Sequence, residues 1–323
     1  MEKKALIIGS TAADVIIEID NLPRRGDDIN VSSQSLAPGG CAYNVASALD
    51  YFGKTFDLLS PVGTGYYGDF ICKILSDRGF STPLHRITGD NGCCYCLVDR
   101  TGERSFICHR GVEYQFREEF FSDIKSSDYS FIYICGLDLE DSSSDAILSF
   151  LESAHKNKGD TVTFPGYAGM HSSYPCLFFA PGPRISHMPV SILKNILNLN
   201  PVLHMNEKES AYLISKFEGI NNLLKITGMP IISTKGGEGA EIYELKDGKH
   251  VIKRDIPACP VEKVVDTIGA GDAHAGGVIS GLMDGLSLKD AVIQANLISS
   301  RIVQSKGATI YRKTASDKDN KNL

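Results

Sequence analysis

The chain has 323 residues, of which 42% are hydrophobic, and this is enough to fill the core of one large α/β domain or two modest ones. Its net charge is −6 without a long basic run, which argues against nucleic acid as the main partner and favours a small molecule. No apolar run approaches the ~20 residues of a membrane span, and nine cysteines without a secretory leader predict reduced thiols in the cytoplasm rather than disulfides or a zinc site.

The N-terminal elements place one carboxylate beside the end of a strand. Residues 5–9 predict a buried strand that ends in glycine, and a loop of small residues with Asp14 follows it. Ligands of α/β folds bind at the carboxyl ends of strands, although Asp14 is equally suited to capping a turn. Residues 15–19 then predict a second strand, which leads into a turn over residues 23–28.

A diglycine, Gly39 and Gly40, opens a predicted helix of small residues. Because glycine has no side chain, the backbone here can approach a ligand within hydrogen-bonding distance. Asn44 lies one turn into the helix and offers an amide donor and an acceptor to the same place. Such paired groups are suited to the hydroxyls of a polyol.

A hairpin is predicted further along the chain, after a strand over residues 57–61 and a helix over residues 69–78. Its two strands lie at residues 92–98 and 104–108, and the segment 99–103 between them has the composition of a turn. The ionisable residues after the hairpin either face the ligand or are exposed loop residues: His109, Arg110 and Glu113.

The middle of the chain alternates between strand and helix patterns. Residues 131–135 and 176–179 predict buried strands on either side of a helix over residues 144–155, and this alternation predicts a parallel sheet. Residues 164–174 are predicted to be a loop insertion. Arg184 follows the second strand closely enough to reach a bound phosphate.

Two polar residues mark the end of the next strand. Residues 201–205 predict that strand, after which Asn206 and Glu209 lie three residues apart at the start of a helix and share one face of it. They can position Mg²⁺ through its water molecules, because this ion keeps much of its hydration in proteins. The same spacing is also that of a capping box.

A glycine-rich loop follows the strand predicted over residues 230–234. It carries Thr234, Gly236 and Gly239, but no Gly-Lys-Ser or Gly-Lys-Thr sequence, so it is not a P-loop. A long helix is predicted later, over residues 288–303.

The most informative segment is residues 265–277, where Gly269, Ala270 and Gly271 precede Asp272 at the start of a helix. The free N–H groups of a helix N-terminus bind anions. A carboxylate in such a turn would repel the anion, which argues for Asp272 as a base. We interpret the turn as an anion hole for a phosphoryl group and Asp272 as the acceptor of a hydroxyl proton. The alternative is that Asp272 only caps the helix.

The Asp-Thr-x-Gly-Ala-Gly-Asp sequence of residues 266–272 resembles the C-terminal signature of the ribokinase, or PfkB, family of carbohydrate and nucleoside kinases. The diglycine and the other motifs occur in that family's order over residues 5–310. Within the family, uncharacterised bacterial sugar kinases carry the variants of these motifs that most resemble those of this chain. The resemblance implies an α/β fold: a three-layer α/β/α sandwich with a mostly parallel central sheet and a small β-lid. It implies a single kinase domain, 1–313, with lid segments at about 14–33 and 92–112. The polar tail, residues 314–323, is predicted to be disordered.

The motifs and the resemblance together assign roles to residues. Contacts with the sugar are expected from Asp14, Gly39, Gly40, Asn44, Arg110 and Glu113. Contacts with ATP are expected from Asn206, Thr234, Gly236, Gly239, Thr267 and Gly271. Glu209 is expected to hold Mg²⁺ through water. A monovalent cation such as K⁺ is expected at Asp266, Ile268 and Gly307.

The predicted reaction is ATP-dependent phosphorylation of a hydroxymethyl group of a sugar, with Asp272 as general base and residues 269–272 as anion hole. Ribokinases tend to have Lys-Gly where this chain has Cys41 and Ala42, which leaves the identity of the sugar open, and Ala180 stands where the family often has Asp. There are two alternative hypotheses: a nucleoside kinase that acts on pseudouridine, inosine or cytidine, and a catalytically silent sugar-binding regulator. A cytoplasmic location without nucleic-acid or membrane partners is expected, and the resemblance allows a homodimer through the lid.

Overall fold

A computed structural model of the chain describes residues 4–80, 85–140, 144–156, 162–163, 171–172 and 175–311. The predicted insertion at 164–174 lies largely outside these residues, and the tail at 314–323 lies wholly outside them. No helix in the described part of the chain is both long enough and apolar enough to cross a membrane. All nine cysteines carry free thiols.

Strands and helices alternate along most of the chain. The strands of the described residues are β1 (Lys4–Ile8), β2 (Ala12–Glu18), β3 (Ser33–Gly39), β4 (Phe56–Leu59), β5 (Val62–Thr64), β6 (Arg86–Asp90), β7 (Cys93–Val98), β8 (Arg104–His109), β9 (Tyr129–Cys135), β10 (Val162–Thr163), β11 (His171–Ser172), β12 (Cys176–Ala180), β13 (Val202–Asn206), β14 (Ile231–Thr234), β15 (Gly239–Lys246) and β16 (His250–Pro257). The α-helices are α1 (Cys41–Tyr51), α2 (Gly65–Asp77), α3 (Ser144–Lys156), α4 (Val190–Leu197), α5 (Glu207–Lys216), α6 (Ile220–Thr227), α7 (Ala270–Met283) and α8 (Leu288–Ile302).

The central sheet has eight strands in the order β16-β15-β14-β13-β12-β9-β1-β4. The six strands from β14 to β4 are parallel to their neighbours, and only β15 and β16 at one edge are antiparallel. The carboxyl ends of the parallel strands therefore meet at one edge, where ligands of open α/β sheets bind. The predicted mostly parallel sheet is confirmed.

Helices cover both faces of this sheet because the side chains of a strand alternate between its two faces. In β1, Ala5 and Ile7 belong to one buried cluster, which also holds residues of α1, α7 and α8. Leu6 and Ile8 belong to the opposite cluster, with residues of α3, α4, α5 and α6. All four side chains are fully buried, so the chain forms the three-layer α/β/α sandwich predicted from the sequence.

The small residues of α7 allow this helix to pack closely on two neighbours. A Cβ atom at Gly276 would lie 2.6 Å from the Cβ of Ala48 in α1, and one at Gly277 would lie 2.9 Å from the Cα of Ala295 in α8. Real Cβ atoms do not approach so closely, so the glycines fix the spacing of the three helices. The N-terminus of α7 is thereby held next to that of α1.

A second sheet, which we call the lid sheet, has four strands in the order β3-β2-β7-β8. β7 and β8 form the predicted antiparallel hairpin, and β2 pairs parallel with β7. Two details differ from the prediction. Asp14 lies inside β2 rather than in a loop before it, and Ser33–Gly39 forms a strand that was not predicted. β3 is an edge strand that is exposed over its first half, so it lacks the apolar alternation that identifies a half-buried strand.

Candidate active site

The two glycine motifs of the sequence meet at the N-termini of α1 and α7. α1 begins after Gly40, and α7 begins after Gly269. Asn44, one turn into α1, donates a hydrogen bond from Nδ2 to Oδ2 of Asp272 over 2.8 Å. Its Oδ1 atom is buried and has no hydrogen-bond partner among the described residues. Asn44 thus joins the two motifs and keeps one acceptor without a partner among the described residues.

Asp14 and Gly39 form the side of the site contributed by the lid sheet. β2 and β3 pair in antiparallel register with Asp14 opposite Ala37, and the Asp14 carboxylate leans toward Gly39, two residues further along β3. A Cβ atom at Gly39 would lie 2.1 Å from Oδ2 of Asp14, so only glycine leaves room for the carboxylate. Gly40 has φ +96°, and a Cβ atom there would lie 2.5 Å from the carbonyl oxygen of Ser10. The diglycine therefore accommodates its protein neighbours, Asp14 and Ser10.

The carboxylates of Asp14 and Asp272 have strongly shifted pKa values. Burial, and then the negative charge of Asp272, raise the pKa of Asp14 from 3.8 to about 7. Burial raises the pKa of Asp272 to about 6, while hydrogen bonds from Asn44 and Cys41 oppose this rise. A base whose pKa lies near neutrality is well matched to general-base catalysis.

Asp272 does not cap its helix. It is the third residue of α7, whose N-cap residue is Gly269, and its Oδ2 atom accepts from Asn44 of α1. Gly269 has φ +71°, and a Cβ atom there would lie 2.4 Å from that of Ala308, so both the turn and the packing require glycine. A Cβ atom at Gly271 would meet nothing within 4 Å. The helix start leaves the amides of Gly271 and Asp272 without intrahelical acceptors, and this turn faces open space.

A cavity of about 760 Å³ lies beside this turn, and its volume is typical of small-molecule sites. Three regions form its wall: the β7–β8 hairpin, the carboxyl ends of central strands, and the segment leading into α7. The predicted site residues that line it are Asn206, Glu209, Thr234, Asp266, Thr267, Ile268, Gly269, Gly271 and Asp272. The other predicted residues are not part of this wall. Gly239, for example, packs on the carbonyl oxygen of Ile256.

Asn206 and Glu209 form the complete capping box of α5. Oδ1 of Asn206 accepts from the amide of Glu209 over 2.9 Å, and the Glu209 carboxylate accepts from the amide of Asn206 over 3.0 Å and from its Nδ2 over 2.7 Å. Burial and the charge of Asp272 raise the pKa of Glu209. Each carboxylate oxygen keeps a lone pair for another donor, and Glu209 lines the cavity, so the residue fits water-mediated Mg²⁺ binding.

The residues expected to hold a monovalent cation are arranged differently from the prediction. Oδ1 of Asp266 accepts from the amide of Ile268 over 2.8 Å, and Oδ2 accepts from the amide of Gly307 over 2.7 Å. Oδ2 is also 2.8 Å from Nη2 of Arg104, the first residue of β8. The guanidinium supplies positive charge at Oδ2 and would repel a monovalent cation there, whereas Oδ1 accepts a single hydrogen bond from an amide.

Arg110 and Glu113 have roles in the protein's own framework. Glu113 is fully buried, and its carboxylate accepts from the amides of Gly92 and Gly111. Glu113 therefore supports this loop, and its contact with the sugar stays a prediction. Arg110 donates to Oε2 of Glu140 over 2.8 Å. His109 is exposed.

The sequence analysis missed two acidic residues that follow β9. Asp138 is buried, accepts from the amide of Ser10 over 2.9 Å, and has a pKa raised to about 7 by burial. Glu140 pairs with Arg110 and with Arg184, whose Nε lies 3.0 Å from Oε1. Arg184, which was expected near phosphate, is thus held at the end of β9. The signal that would have found both acids is their position directly after a buried parallel strand.

Comparisons with known proteins show the family and the fold of the chain. The chain matches the model for the pfkB family carbohydrate kinases over residues 2–315. It is 31% identical over 312 residues to the uncharacterized sugar kinase YegV of Escherichia coli (strain K12), covering 94% of this chain and 90% of that protein. The structure of Arabidopsis thaliana ribokinase complexed with ribose and ATP matches with a TM-score of 0.73 at 19% identity, over 96% of each chain. The structure of Burkholderia thailandensis nucleoside kinase in complex with inosine matches with a TM-score of 0.74 at 19% identity, over 97% of this chain and 95% of that one.

Proposed function

Because the chain belongs to the PfkB family of carbohydrate kinases, we propose that it transfers the terminal phosphoryl group of ATP to a hydroxymethyl group of a sugar. The family makes it a sugar or nucleoside kinase, and the choice of a sugar hydroxymethyl group as acceptor is the proposal. The observation that carries it is the hydrogen bond of 2.8 Å between Asn44 and Asp272, which joins a polyol-binding motif to a base.

The sugar is held by the N-terminal motif. Asn44 offers its unpartnered Oδ1 to a sugar hydroxyl, and Asp14 offers a carboxylate from β2. At neutral pH the raised pKa of Asp14 leaves it partly protonated, so it can donate to one hydroxyl or accept from another. Gly39, Gly40 and Arg110 complete the proposed sugar contacts.

Asp272 takes the proton from the attacking hydroxyl. Its pKa of about 6 keeps it mostly ionised at neutral pH, yet close enough to neutrality to accept a proton as the hydroxyl attacks. The amides of Gly271 and Asp272, which have no intrahelical acceptors, stabilise the negative charge of the transferring group in the anion hole of residues 269–272. The lid sheet excludes water, which would otherwise accept the phosphoryl group.

ATP occupies the cavity of about 760 Å³. Asn206, Thr234, Thr267 and Gly271 line it and are its proposed contacts, with Gly236 and Gly239 shaping the loop behind Thr234. Glu209 holds Mg²⁺ through water, and bound Mg²⁺ supplies neutralising charge to the triphosphate. ATP is present in the solved complex of a ribokinase with this fold, which supports it as the donor.

A panel assay tests the proposal. ADP release is measured with ATP, Mg²⁺ and each of a set of aldoses, ketoses and deoxysugars, and with inosine, cytidine and pseudouridine. The Asp272→Asn protein is the matched control, because ADP released by a contaminating kinase would not depend on this residue. We expect release that depends on Asp272 with at least one sugar.

Two other outcomes would replace the proposal. Release with nucleosides alone would make the chain a nucleoside kinase, whose acceptor is still a hydroxymethyl group. Tight binding of a sugar in calorimetry, without ADP release from any compound, would make it a sugar-binding regulator without catalytic activity.

A further inference from the structure

Arg104 reaches from the lid sheet to the segment that precedes the anion turn. Its Nη2 atom lies 2.8 Å from Oδ2 of Asp266, and the two side chains are 16% and 1% exposed. Nη1 is also 3.8 Å from Sγ of Cys96 in the neighbouring strand β7. This is an ion pair shielded from solvent, and a charge removed from water in this way needs its partner.

Asp266 holds together the two segments that shape the anion turn. Through the amide of Ile268 it fixes the residue just before Gly269. Through the amide of Gly307 it fixes the residue before Ala308, on which Gly269 packs. The charge beside Asp266 therefore determines how firmly the turn is held.

The guanidinium contacts the carboxylate of Asp266, at which the family resemblance predicts a monovalent cation. We propose that Arg104 supplies the positive charge at Asp266, so that phosphoryl transfer by this protein does not require a monovalent cation. Arg104 is a positioning residue: it acts on the turn through Asp266. Because Arg104 belongs to the lid sheet, the same ion pair attaches the lid to the anion turn. The inference rests on the proposed kinase function, although the ion pair can also be tested without turnover.

The first test measures turnover in buffers whose only monovalent cation is tetramethylammonium, which is too large for such a site, and then after addition of Na⁺ or K⁺. Four proteins are compared: the wild type, Arg104→Ala, Arg104→Lys and, as matched control, Arg100→Ala. Arg100 is an exposed arginine of the same hairpin.

We expect the wild type and the Arg100→Ala protein to change by less than about twofold when K⁺ is added. Arg104→Ala should lose about tenfold or more of its kcat without K⁺, because the turn loosens, and should recover when K⁺ binds the vacated carboxylate. Arg104→Lys keeps the charge and should depend on K⁺ less than Arg104→Ala does. A wild type that requires K⁺ overturns the proposal. A loss in Arg104→Ala that K⁺ does not restore also overturns it, and would assign Arg104 a direct contact with the phosphates.

The second test measures thermal unfolding in KCl and in tetramethylammonium chloride at equal concentration. The wild type should melt at the same temperature in both salts, and Arg104→Ala should melt at a higher temperature in KCl. A K⁺-specific rise in the wild type as large as that in Arg104→Ala would show that the folded protein binds K⁺ with Arg104 in place, and would contradict the proposal. Because melting needs no substrate, this result stands even if the panel assay finds no kinase activity, and the two proposals can fail separately.

Discussion

Nδ2 of Asn44 lies 2.8 Å from Oδ2 of Asp272, although 228 positions separate the two residues along the chain. The hydrogen bond connects the N-termini of α1 and α7, which the glycines of α7 hold in close contact. The donor, Asn44, is a proposed contact of the sugar, and the acceptor, Asp272, is the proposed base. In the proposed reaction, this one contact would couple binding of the acceptor sugar to activation of its hydroxyl.

Replacing Asp272 with asparagine should abolish most turnover while leaving ligand binding nearly intact. A base acts on the proton in the transition state and contributes little to the ground-state complex, so kcat should fall by about 10²–10⁴-fold. Single-turnover kinetics and calorimetry with the sugar and with ATP measure the two effects. A fall of less than about fivefold would show that Asp272 is not the base.

The same variant should be more stable than the wild type at high pH, which is its folding control. Because the folded protein raises the pKa of Asp272 from 3.8 to about 6, ionisation of this carboxyl destabilises the fold progressively as pH rises through that interval. Asparagine removes this penalty. Its melting temperature should exceed that of the wild type by about 2–5 °C at pH 8 and by less at pH 4.

The pH profile of the wild type should show an acid limb set by the carboxyls of the site. Asp272 must be ionised to accept a proton, and its pKa is about 6, so kcat/KM should fall about tenfold per pH unit below that value. The charge of Asp272 contributes to raising the pKa of Asp14 to about 7, so the two carboxyls titrate together. The acid limb should therefore give apparent pKa values between about 6 and 7 that belong to the pair. A profile that is flat from pH 5 to 8 would exclude Asp272 as the titrating base.

Replacing Asn44 with alanine should move this acid limb to higher pH. The hydrogen bond from Asn44 lowers the pKa of Asp272, so its loss raises that pKa. The KM for the sugar should rise as well, and the KM for ATP should not change. Ser47→Ala is the matched control on α1, because Ser47 contacts Arg78 rather than Asp272. If both variants leave the limb in place, Asn44 does not act on the base.

A valine at Gly271 should reduce kcat without unfolding the protein. The Cβ direction at Gly271 is open to the cavity, so the side chain would occupy the space proposed for the phosphoryl group rather than clash with the framework. Blocking the approach of the phosphoryl group to one aligned donor should lower kcat by about 10²–10³-fold, as loss of such a donor does. The dissociation constant of the sugar should stay within about threefold, since Asp14 and Asn44 hold it. A folded Gly271→Val protein with normal kcat would mean that the phosphate is bound elsewhere.

An alanine at Asp14 should weaken sugar binding selectively. The hydrogen bonds lost with this carboxyl correspond to about 1–3 kcal/mol of binding free energy. ATP binding should be unaffected, because Asp14 does not line the cavity. Isothermal titration with the sugar and with ATP distinguishes these effects. Equal weakening of both would show that Asp14 is not a selective contact of the sugar.

The sequence predicted the parts of the fold whose signals are local. Buried strands such as β1 and β9 are apolar runs, and the turn before Asp272 is a short string of residues whose types suit one conformation. These features depend on neighbours along the chain, so they can be identified without coordinates. The homodimer through the lid has no such local signal and stays a prediction.

The parts that could not be predicted depend on contacts between distant segments. Nothing near Arg104 in the sequence indicates that it meets Asp266, since their contact requires the lid sheet and the central sheet to be placed together. Glu113 has the residue type of a sugar ligand, and only its complete burial shows that its oxygens are used by loop amides. β3 escaped detection because pairing with β2, rather than its own composition, makes it a strand.

The close packing of α7 on α1 also bears on how the chain folds. α1 ends at Tyr51, but the face that Gly276 approaches stays uncovered until the C-terminal segment has been synthesised. An incomplete chain therefore exposes the small apolar residues of α1 to solvent and to other chains. A chain that is released before α7 has been synthesised should be prone to aggregation. Docking of α7 is a contact of long sequence separation and hence a slow, late event in folding. The same event brings Asp272 to Asn44, so a nascent chain acquires its proposed base only when its hydrophobic core is complete.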